Sequence, residues 1–168
     1  MRSILVVDDD NAMRGMMVSM PESAGIHAES ADSAEGAVEA VRNGEFDVVL
    51  SDIRMPGKDG LELLGELREL RPETPVVLMT AFGSIDSAVA AMRGGAFDYI
   101  PKPFKRDEVL VILERAFEHR ELASENKRLR AAVDQTCSFG DLIGRSPAMR
   151  EIFALVRRIA SNSSSVLI

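Results

Sequence analysis

Three aspartates of this sequence stand where their carboxylates would be able to share a cation. Asp8 and Asp9 directly follow the apolar run Ile4–Val7, and Asp52 directly follows a second run at 46–51. The carboxyl ends of parallel strands meet at one edge of a sheet, so these side chains should lie together. Clustered carboxylates repel one another, and a hard divalent ion such as Mg²⁺, which prefers oxygen ligands, relieves that repulsion.

A hydroxyl and an ammonium group are expected at the same edge. Thr80 follows the fourth predicted strand and Lys102 the fifth. With a cation opposite, they would complement the negative charge of a phosphoryl group during its transfer. A carboxylate can be the nucleophile of such a transfer, and Asp52 is the best candidate because it stands singly at a strand end. The backbone carbonyls of Ile53 and Arg54 come next and would be within reach of the metal.

Each of these residue types also has a purely structural explanation. Asp8, Asp9 and Asp10 precede a predicted helix, where aspartates cap the chain and complement the helix dipole. Thr80 would serve as a capping or turn residue, and Lys102 as a surface lysine. Their joint placement at successive strand ends favours the functional interpretation.

Strand and helix signals alternate over the part of the chain that positions these residues. The predicted strands cover residues 4–7, 27–30, 46–51, 75–79 and 97–100. The predicted helices cover about 11–24, 33–42, a stretch from 61, a stretch capped by Ser84 and a stretch from about 105. This alternation predicts an α/β fold with a parallel sheet covered by helices on both faces.

The chain changes character after about residue 104. Residues 1–104 contain 18 acidic and 9 basic side chains, whereas residues 105–168 contain 9 and 11, which indicates two functional parts. A continuous helix is predicted over 105–134, and a short segment at 138–168 follows it.

Four residues of the predicted 105–134 helix recur at spacings of four, three and four: Leu122, Asn126, Leu129 and Val133. Leucine at heptad position d with a single asparagine at a is typical of a parallel two-stranded coiled coil. This pattern predicts a homodimer. The alternative is a solvated helix that leans on its own domain.

Composition excludes several classes of protein. The chain has 168 residues, of which 46% are hydrophobic and 28% charged, so it should fold around a core. No apolar run approaches the ~20 residues of a membrane span, and the first residues do not form a secretory signal. The formal net charge of −7 argues against nucleic-acid binding by this chain. One cysteine, Cys137, fits a cytoplasmic location.

Four motifs together resemble the receiver domain of bacterial two-component response regulators over about residues 1–120. They are Val6-Val7-Asp8-Asp9-Asp10, Ser51-Asp52-Ile53-Arg54-Met55-Pro56, Met79-Thr80-Ala81 and Tyr99-Ile100-Pro101-Lys102-Pro103-Phe104. The resemblance implies a flavodoxin-like (βα)5 doubly wound sheet of strand order 2-1-3-4-5, followed by a long helical linker.

The resemblance also implies a role for each site residue. Asp52 would accept a phosphoryl group from a sensor histidine kinase. Asp9 would bind Mg²⁺ directly, Asp8 through water, and the Arg54 carbonyl would complete the protein ligands together with Asp52. Thr80 and Lys102 would hold the phosphoryl oxygens as the catalytic pair.

Three further features are implied in the same way. Tyr99 would act with Thr80 as the switch that responds to phosphorylation. The Lys102–Pro103 peptide bond would be cis, which proline permits at modest cost. The receiver would promote its own phosphorylation and dephosphorylation without being an enzyme in the usual sense.

The stretch 95–104 and the tail are most similar to the NtrC subfamily of enhancer-binding activators. Asp141-Leu142-Ile143-Gly144-Arg145-Ser146-Pro147 and the predicted strand 166–168 resemble the beginning of an AAA+ ATPase domain, ending before its Walker A loop. In a longer protein, the implied partners are an AAA+ ring, DNA and RNA polymerase with the alternative sigma factor. The chain would form a homodimer through its receiver and its linker helix, and phosphorylation would change the dimer arrangement and so control the ATPase.

Two other functions remain open at the level of sequence. Asp8 and Asp10 also fit the Asp-x-Asp pattern of haloacid-dehalogenase-type phosphatases, with Asp8 as nucleophile. That interpretation leaves Asp52 without a role. The second alternative is a receiver that is never phosphorylated and serves only as a dimerisation module.

Overall fold

The structure is a computed structural model that describes residues 2–81, 85–139, 142–143 and 146–160. The chain divides into two compact units, Met1–Ala123 and Ser124–Ile168. Ser84, the predicted helix cap, and the predicted strand 166–168 lie outside the described residues.

The first unit is built on five parallel strands. They are β1 (Ser3–Val7), β2 (His27–Ala31), β3 (Val48–Asp52), β4 (Val76–Ala81) and β5 (Asp98–Lys102). The helices between and after them are α1 (Asn11–Glu22), α2 (Ala34–Asn43), α3 (Gly60–Leu70), α4 (Ile85–Gly94) and α5 (Arg106–Cys137). The strand order is β2-β1-β3-β4-β5 and every pairing is parallel, which confirms the predicted flavodoxin-like sheet.

The continuous apolar strands exist because both faces of the sheet are covered. In β1, Ile4 and Val6 pack in a cluster with residues of α1 and α5, whereas Leu5 and Val7 pack in a cluster with residues of α2, α3 and α4. Successive side chains of a strand point to opposite faces, so each strand supplies both layers. A period-two pattern is therefore absent from the sequence of the central strands.

Short polar side chains fix where the helices begin. Asp10 caps α1, and Ser33 caps α2 by accepting a hydrogen bond from the amide of Gly36. Asp59 and Glu62 form a capping box at the start of α3. These caps satisfy backbone amides that the first turn leaves free.

Several predicted boundaries were wrong by about two residues, among them the end of α1 and the start of β3. Helix α1 ends at Glu22, not at residue 24, because Ala24 and Gly25 turn back onto the carbonyls of Pro21 and Glu22. Gly25 takes a φ of 79°, which favours glycine. Strand β3 begins at Val48, not at residue 46, although Phe46 is buried.

The second unit contains the C-terminal part of α5, a two-stranded antiparallel ladder of β6 (Ser138–Phe139) with β7 (Leu142–Ile143), and α6 (Pro147–Ala160). Helix α5 continues to Cys137, three residues beyond the predicted end at 134. Among the side chains of α6 that the structure describes, Phe153 is buried, while Ile152 and Leu155 are exposed. No described helix is both long and apolar enough to cross a membrane.

The core packing of α3 supports a stability prediction. Leu63 is fully buried, whereas Leu70 on the same helix is 36% exposed. We expect Leu63→Ala to lower the free energy of unfolding by about 2–5 kcal/mol, because it removes buried methyl groups and leaves a cavity. Leu70→Ala is the control and should cost much less. Urea denaturation of both variants measures the difference, and equal losses would contradict the packing described here.

Candidate functional site

The carboxyl ends of β1, β3, β4 and β5 bring the predicted site residues to one edge of the sheet. Asp8 is the first residue after β1, as predicted. Asp52 and Lys102 are the last residues of their strands and Thr80 is the last but one, so the prediction that they follow the strands was slightly wrong. The ladders extend further than the apolar runs: Asp52 pairs with Met79, and Thr80 with Pro101.

One ammonium group joins two carboxylates at the centre of this edge. The Nζ atom of Lys102 lies 3.0 Å from Oδ2 of Asp8 and 3.0 Å from Oδ2 of Asp52. The Asp8 side chain is only 1% exposed and that of Lys102 is 15% exposed. The lysine is therefore a half-buried partner of two carboxylates and not an ordinary surface lysine.

Backbone amides hold the other oxygen of each carboxylate. Oδ1 of Asp8 accepts a hydrogen bond of 2.9 Å from the amide of Asp10, and Oδ1 of Asp52 accepts one of 2.9 Å from the amide of Ile53. Each carboxylate is thus fixed at both oxygens, one by an amide and one by Lys102. These contacts set the orientation of the Asp8 and Asp52 carboxylates.

Burial and the ammonium group act on these charges in opposite directions. Burial raises the pKa of Asp52, and the hydrogen bond and charge of Lys102 offset only part of that rise. For Lys102, burial disfavours the charged form, but the hydrogen bonds to Asp8 and Asp52 outweigh it and raise the pKa of the ammonium group. Lys102 therefore stays protonated between its two partners.

The acidic cluster fits a hard divalent cation. Asp8, Asp9 and Asp52 each offer a carboxylate oxygen, and these oxygens lie within 4.8 Å of one another. The donors are all oxygen, and one ammonium cannot balance three carboxylates. Asp9 is exposed while the other two are buried, so the cluster opens towards solvent on one side.

Asp10 has a different task from its two neighbours. Its Oδ1 accepts hydrogen bonds from the amides of Ala12 (2.8 Å) and Met13 (3.1 Å), which caps α1. These bonds lower the pKa of its carboxyl group. The capping explanation therefore holds for Asp10, while Asp8 and Asp9 belong to the acidic cluster.

The remaining predicted residues have the following surroundings. Thr80 is buried in β4, and Tyr99 on the neighbouring β5 is 36% exposed. The Lys102–Pro103 bond is cis.

The residues of the predicted coiled coil lie on α5. Leu122 is 71% exposed and Leu129 is 55% exposed, and Asn126 is also exposed. The side chain of Val133 lies outside the described residues.

Sequence reasoning missed two contacts on the backbone of Asp52. The hydroxyl of Ser51 donates a 2.9 Å hydrogen bond to the Asp52 carbonyl, and Gly60 packs directly against that carbonyl. A glycine immediately after the Asp59 cap was the available signal, because glycine is a poor helix former and needs a packing reason at a helix start.

The sequence of this chain matches a family model and is similar to a known transcriptional regulator. The sequence model of the response regulator receiver domain matches residues 4–114. The DNA-binding transcriptional regulator NtrC of Escherichia coli K12 is 39% identical over 165 residues, which cover 98% of this chain and 34% of that protein.

Two solved structures add to this comparison. The crystal structure of NtrX from Brucella abortus in complex with ADP matches with a TM-score of 0.73 at 35% identity, covering 95% of this chain and 34% of that one. A receiver domain protein from Clostridium thermocellum matches with a TM-score of 0.69 at 28% identity, covering 73% and 98%. The chain thus spans about a third of the length of the curated relatives it matches.

The bridge that Lys102 forms between Asp8 and Asp52 supports a prediction for the metal-free protein. Lys102→Met should raise the pKa of Asp52 further, because the variant lacks the hydrogen bond and charge that favour the ionised carboxylate. Carbon-13 NMR titration of the aspartate carboxyl groups measures the shift. The control is Lys58→Met, which removes a lysine whose ion-pair partner is Glu66 and not an aspartate of this cluster. An unchanged or lower pKa of Asp52 in Lys102→Met would contradict the bridge.

Proposed function

The chain belongs to the response regulator receiver domain family, and from this premise we propose that Asp52 is its phosphoacceptor. The observation that carries the proposal is the position of the Lys102 ammonium, 3.0 Å from Asp8 and 3.0 Å from Asp52. This arrangement presents an oriented carboxylate beside a fixed positive charge. A phosphoryl group needs both: an oxygen nucleophile and a partner for its charge.

The proposed donor is the phosphohistidine of a sensor histidine kinase. A carboxylate oxygen of Asp52 attacks the phosphorus, and the new oxygen–phosphorus bond forms as the nitrogen–phosphorus bond breaks. The bonding electron pair stays with the imidazole nitrogen. The product is an aspartyl phosphate, and no proton needs to leave Asp52 because it reacts as the ionised carboxylate.

The charged and polar side chains around Asp52 would stabilise this transfer. Lys102 keeps its proton and can exchange a carboxylate for a phosphoryl oxygen, while Thr80 supplies a hydroxyl from the neighbouring strand. A Mg²⁺ ion, when bound by Asp8, Asp9, Asp52 and the Arg54 carbonyl, would neutralise charge on the phosphoryl oxygens. Hydrolysis would reverse the modification: water attacks phosphorus, the bond between phosphorus and the Asp52 oxygen breaks, and the products are inorganic phosphate and the ionised Asp52 carboxylate. On this proposal the receiver promotes its own phosphorylation and dephosphorylation, and it is not an enzyme in the usual sense.

A change at Asp52 would reach the surface through β4 and β5. Thr80 is buried near the end of β4, and Tyr99 lies on β5 with 36% of its surface exposed. We propose that Thr80 moves toward the phosphoryl group and that Tyr99 then turns inward. Because Tyr99 is exposed in the described state, its burial would alter the face formed by β5.

The output we propose is a change of dimer arrangement. Leu122 and Leu129 are large apolar side chains exposed on α5, and Asn126 is exposed between them. Their heptad spacing supports a paired linker helix. In a longer regulator of the NtrC type, this change would control an attached AAA+ ATPase that activates transcription with the alternative sigma factor.

The haloacid-dehalogenase alternative finds no support in the site. Its Asp-x-Asp pattern pairs Asp8 with Asp10, but the Asp10 carboxylate caps α1 through two backbone amides. The same alternative leaves Asp52 without a task, although Lys102 and the Ile53 amide orient that carboxylate.

The choice of nucleophile can be tested with acetyl phosphate and Mg²⁺. The parent protein should gain one phosphoryl group by intact mass, and Asp52→Asn should gain none because its amide is not a nucleophile. Asp10→Asn is the matched control, since asparagine caps a helix about as well as aspartate. Equal labelling of Asp52→Asn and the parent would refute the assignment, and loss of labelling in Asp10→Asn alone would favour the phosphatase pattern.

The linker pairing has its own test. The double variant Leu122→Lys/Leu129→Lys places charges in the predicted apolar seam and should lower the fraction of dimer in analytical ultracentrifugation. Ser124→Lys adds a charge at heptad position f, opposite the seam, and should leave the mass unchanged. If the double variant sediments like Ser124→Lys, the coiled coil is not the dimer contact.

A further inference from the structure

The first residue of α3 lies unusually close to the backbone that carries Asp52. A Cβ atom added to Gly60 would lie 2.2 Å from the Asp52 carbonyl oxygen, 2.8 Å from the Cα of Ile53 and 3.0 Å from the carbonyl carbon of Asp52. Real Cβ atoms do not approach backbone atoms so closely. The amide of Gly60 also donates a 2.9 Å hydrogen bond to the carbonyl of Ile53. Position 60 therefore has no room for a Cβ atom unless the neighbouring backbone moves, which is why glycine is required.

The contacted atoms belong to the peptide unit that orients the Asp52 carboxylate. The carbonyl of Asp52 and the amide of Ile53 share one rigid plane. That amide lies 2.9 Å from Oδ1 of Asp52 and 2.9 Å from the carbonyl of Met79. Displacement of the Asp52 carbonyl must therefore rotate or shift the Ile53 N–H group, which is hydrogen-bonded to the Asp52 carboxylate.

A second side chain fixes the same carbonyl from the strand side. Ser51 is fully buried in β3, and its hydroxyl donates a 2.9 Å hydrogen bond to the Asp52 carbonyl oxygen. The Asp52–Ile53 peptide unit is thus in close contact with Gly60, and its carbonyl is hydrogen-bonded to Ser51. Neither residue belongs to the acidic cluster.

We propose that Gly60 and Ser51 are positioning residues that hold the Asp52–Ile53 peptide, and through the Ile53 amide the Asp52 carboxylate, in the orientation that cation binding and phosphoryl acceptance require. The inference rests on the proposed function of Asp52. It assigns to the start of α3 a task beyond supporting the fold: the close contact of Gly60 helps to orient a carboxylate whose described hydrogen-bond and ion-pair partners are Ile53 and Lys102.

The decisive comparison is Gly60→Ala with Gly65→Ala. Both glycines lie in α3, but a Cβ added to Gly65 meets no atom within 4 Å. Calorimetric titration with MgCl₂ and the initial rate of labelling by acetyl phosphate are measured for both variants and the parent, with thermal unfolding beside them. Residues that orient metal ligands typically change affinity by about 10–100-fold, so we expect Gly60→Ala to bind Mg²⁺ at least about 10-fold more weakly. Gly65→Ala should match the parent in both measurements.

A purely structural role for Gly60 would give a different result. The melting temperature of Gly60→Ala would then fall while its Mg²⁺ affinity and labelling rate stayed within about twofold of Gly65→Ala, and this would overturn the proposal. If Gly60→Ala does not fold, Ser51→Ala decides, because it frees the same carbonyl without adding an atom. An Mg²⁺ affinity of Ser51→Ala equal to that of the parent would then overturn the proposal.

The parent protein separates this failure from failure of the proposed function. If the parent and Gly65→Ala neither bind Mg²⁺ nor accept a phosphoryl group, the phosphoacceptor assignment fails and the positioning role fails with it. If both react normally and Gly60→Ala reacts equally well, only the positioning role is refuted.

Discussion

One ammonium group shared by two buried carboxylates is the interaction on which this site depends. An isolated charge in a protein interior is costly unless it is paired and hydrogen-bonded. Lys102 supplies the pairing for both Asp8 and Asp52, and the amides of Asp10 and Ile53 supply the remaining hydrogen bonds. Without the hydrogen bond and charge of Lys102, the buried Asp52 carboxylate, which we propose as the nucleophile, would take up a proton more readily.

The fold brings these charged side chains together at one edge of the sheet. In the order β2-β1-β3-β4-β5, strand β1 lies beside β3 near the centre of the sheet, where the chain order reverses. A crevice outside the carboxyl ends of strands forms at that point. The apolar clusters on both faces hold the strands in register, and the register places Asp52 opposite Met79 and Ala81 opposite Lys102. The stability of the sheet therefore sets the geometry of the site.

The sequence was sufficient to predict the sheet and the residues at its edge, because apolar runs and the polar residues that end them are local features. Asp8, Asp52, Thr80 and Lys102 could be chosen in this way. The Lys102 bridge is not local: it joins residues 94 positions apart, and only their shared edge made it expected. The contacts of Ser51 and Gly60 with the Asp52 carbonyl could not be predicted, since they depend on how closely α3 packs on the end of β3. The capping of α1 by Asp10 was one of two open explanations, and only hydrogen-bond geometry separates Asp10 from Asp8.

The electrostatics of Asp52 bear on the phosphoacceptor role that we propose for it. Burial raises its pKa, which means that the ionised carboxylate is less well solvated than in water and is correspondingly more basic. In the proposed aspartyl phosphate, which is an acyl phosphate, the carboxylate would lose its own charge, but the transferred phosphoryl group would bring negative charge of its own. That charge would lie beside Lys102 in a cluster that already contains Asp8 and Asp9. Lys102 and a cation bound by the acidic cluster would therefore be needed to offset the charge of the product as well as that of the free carboxylate.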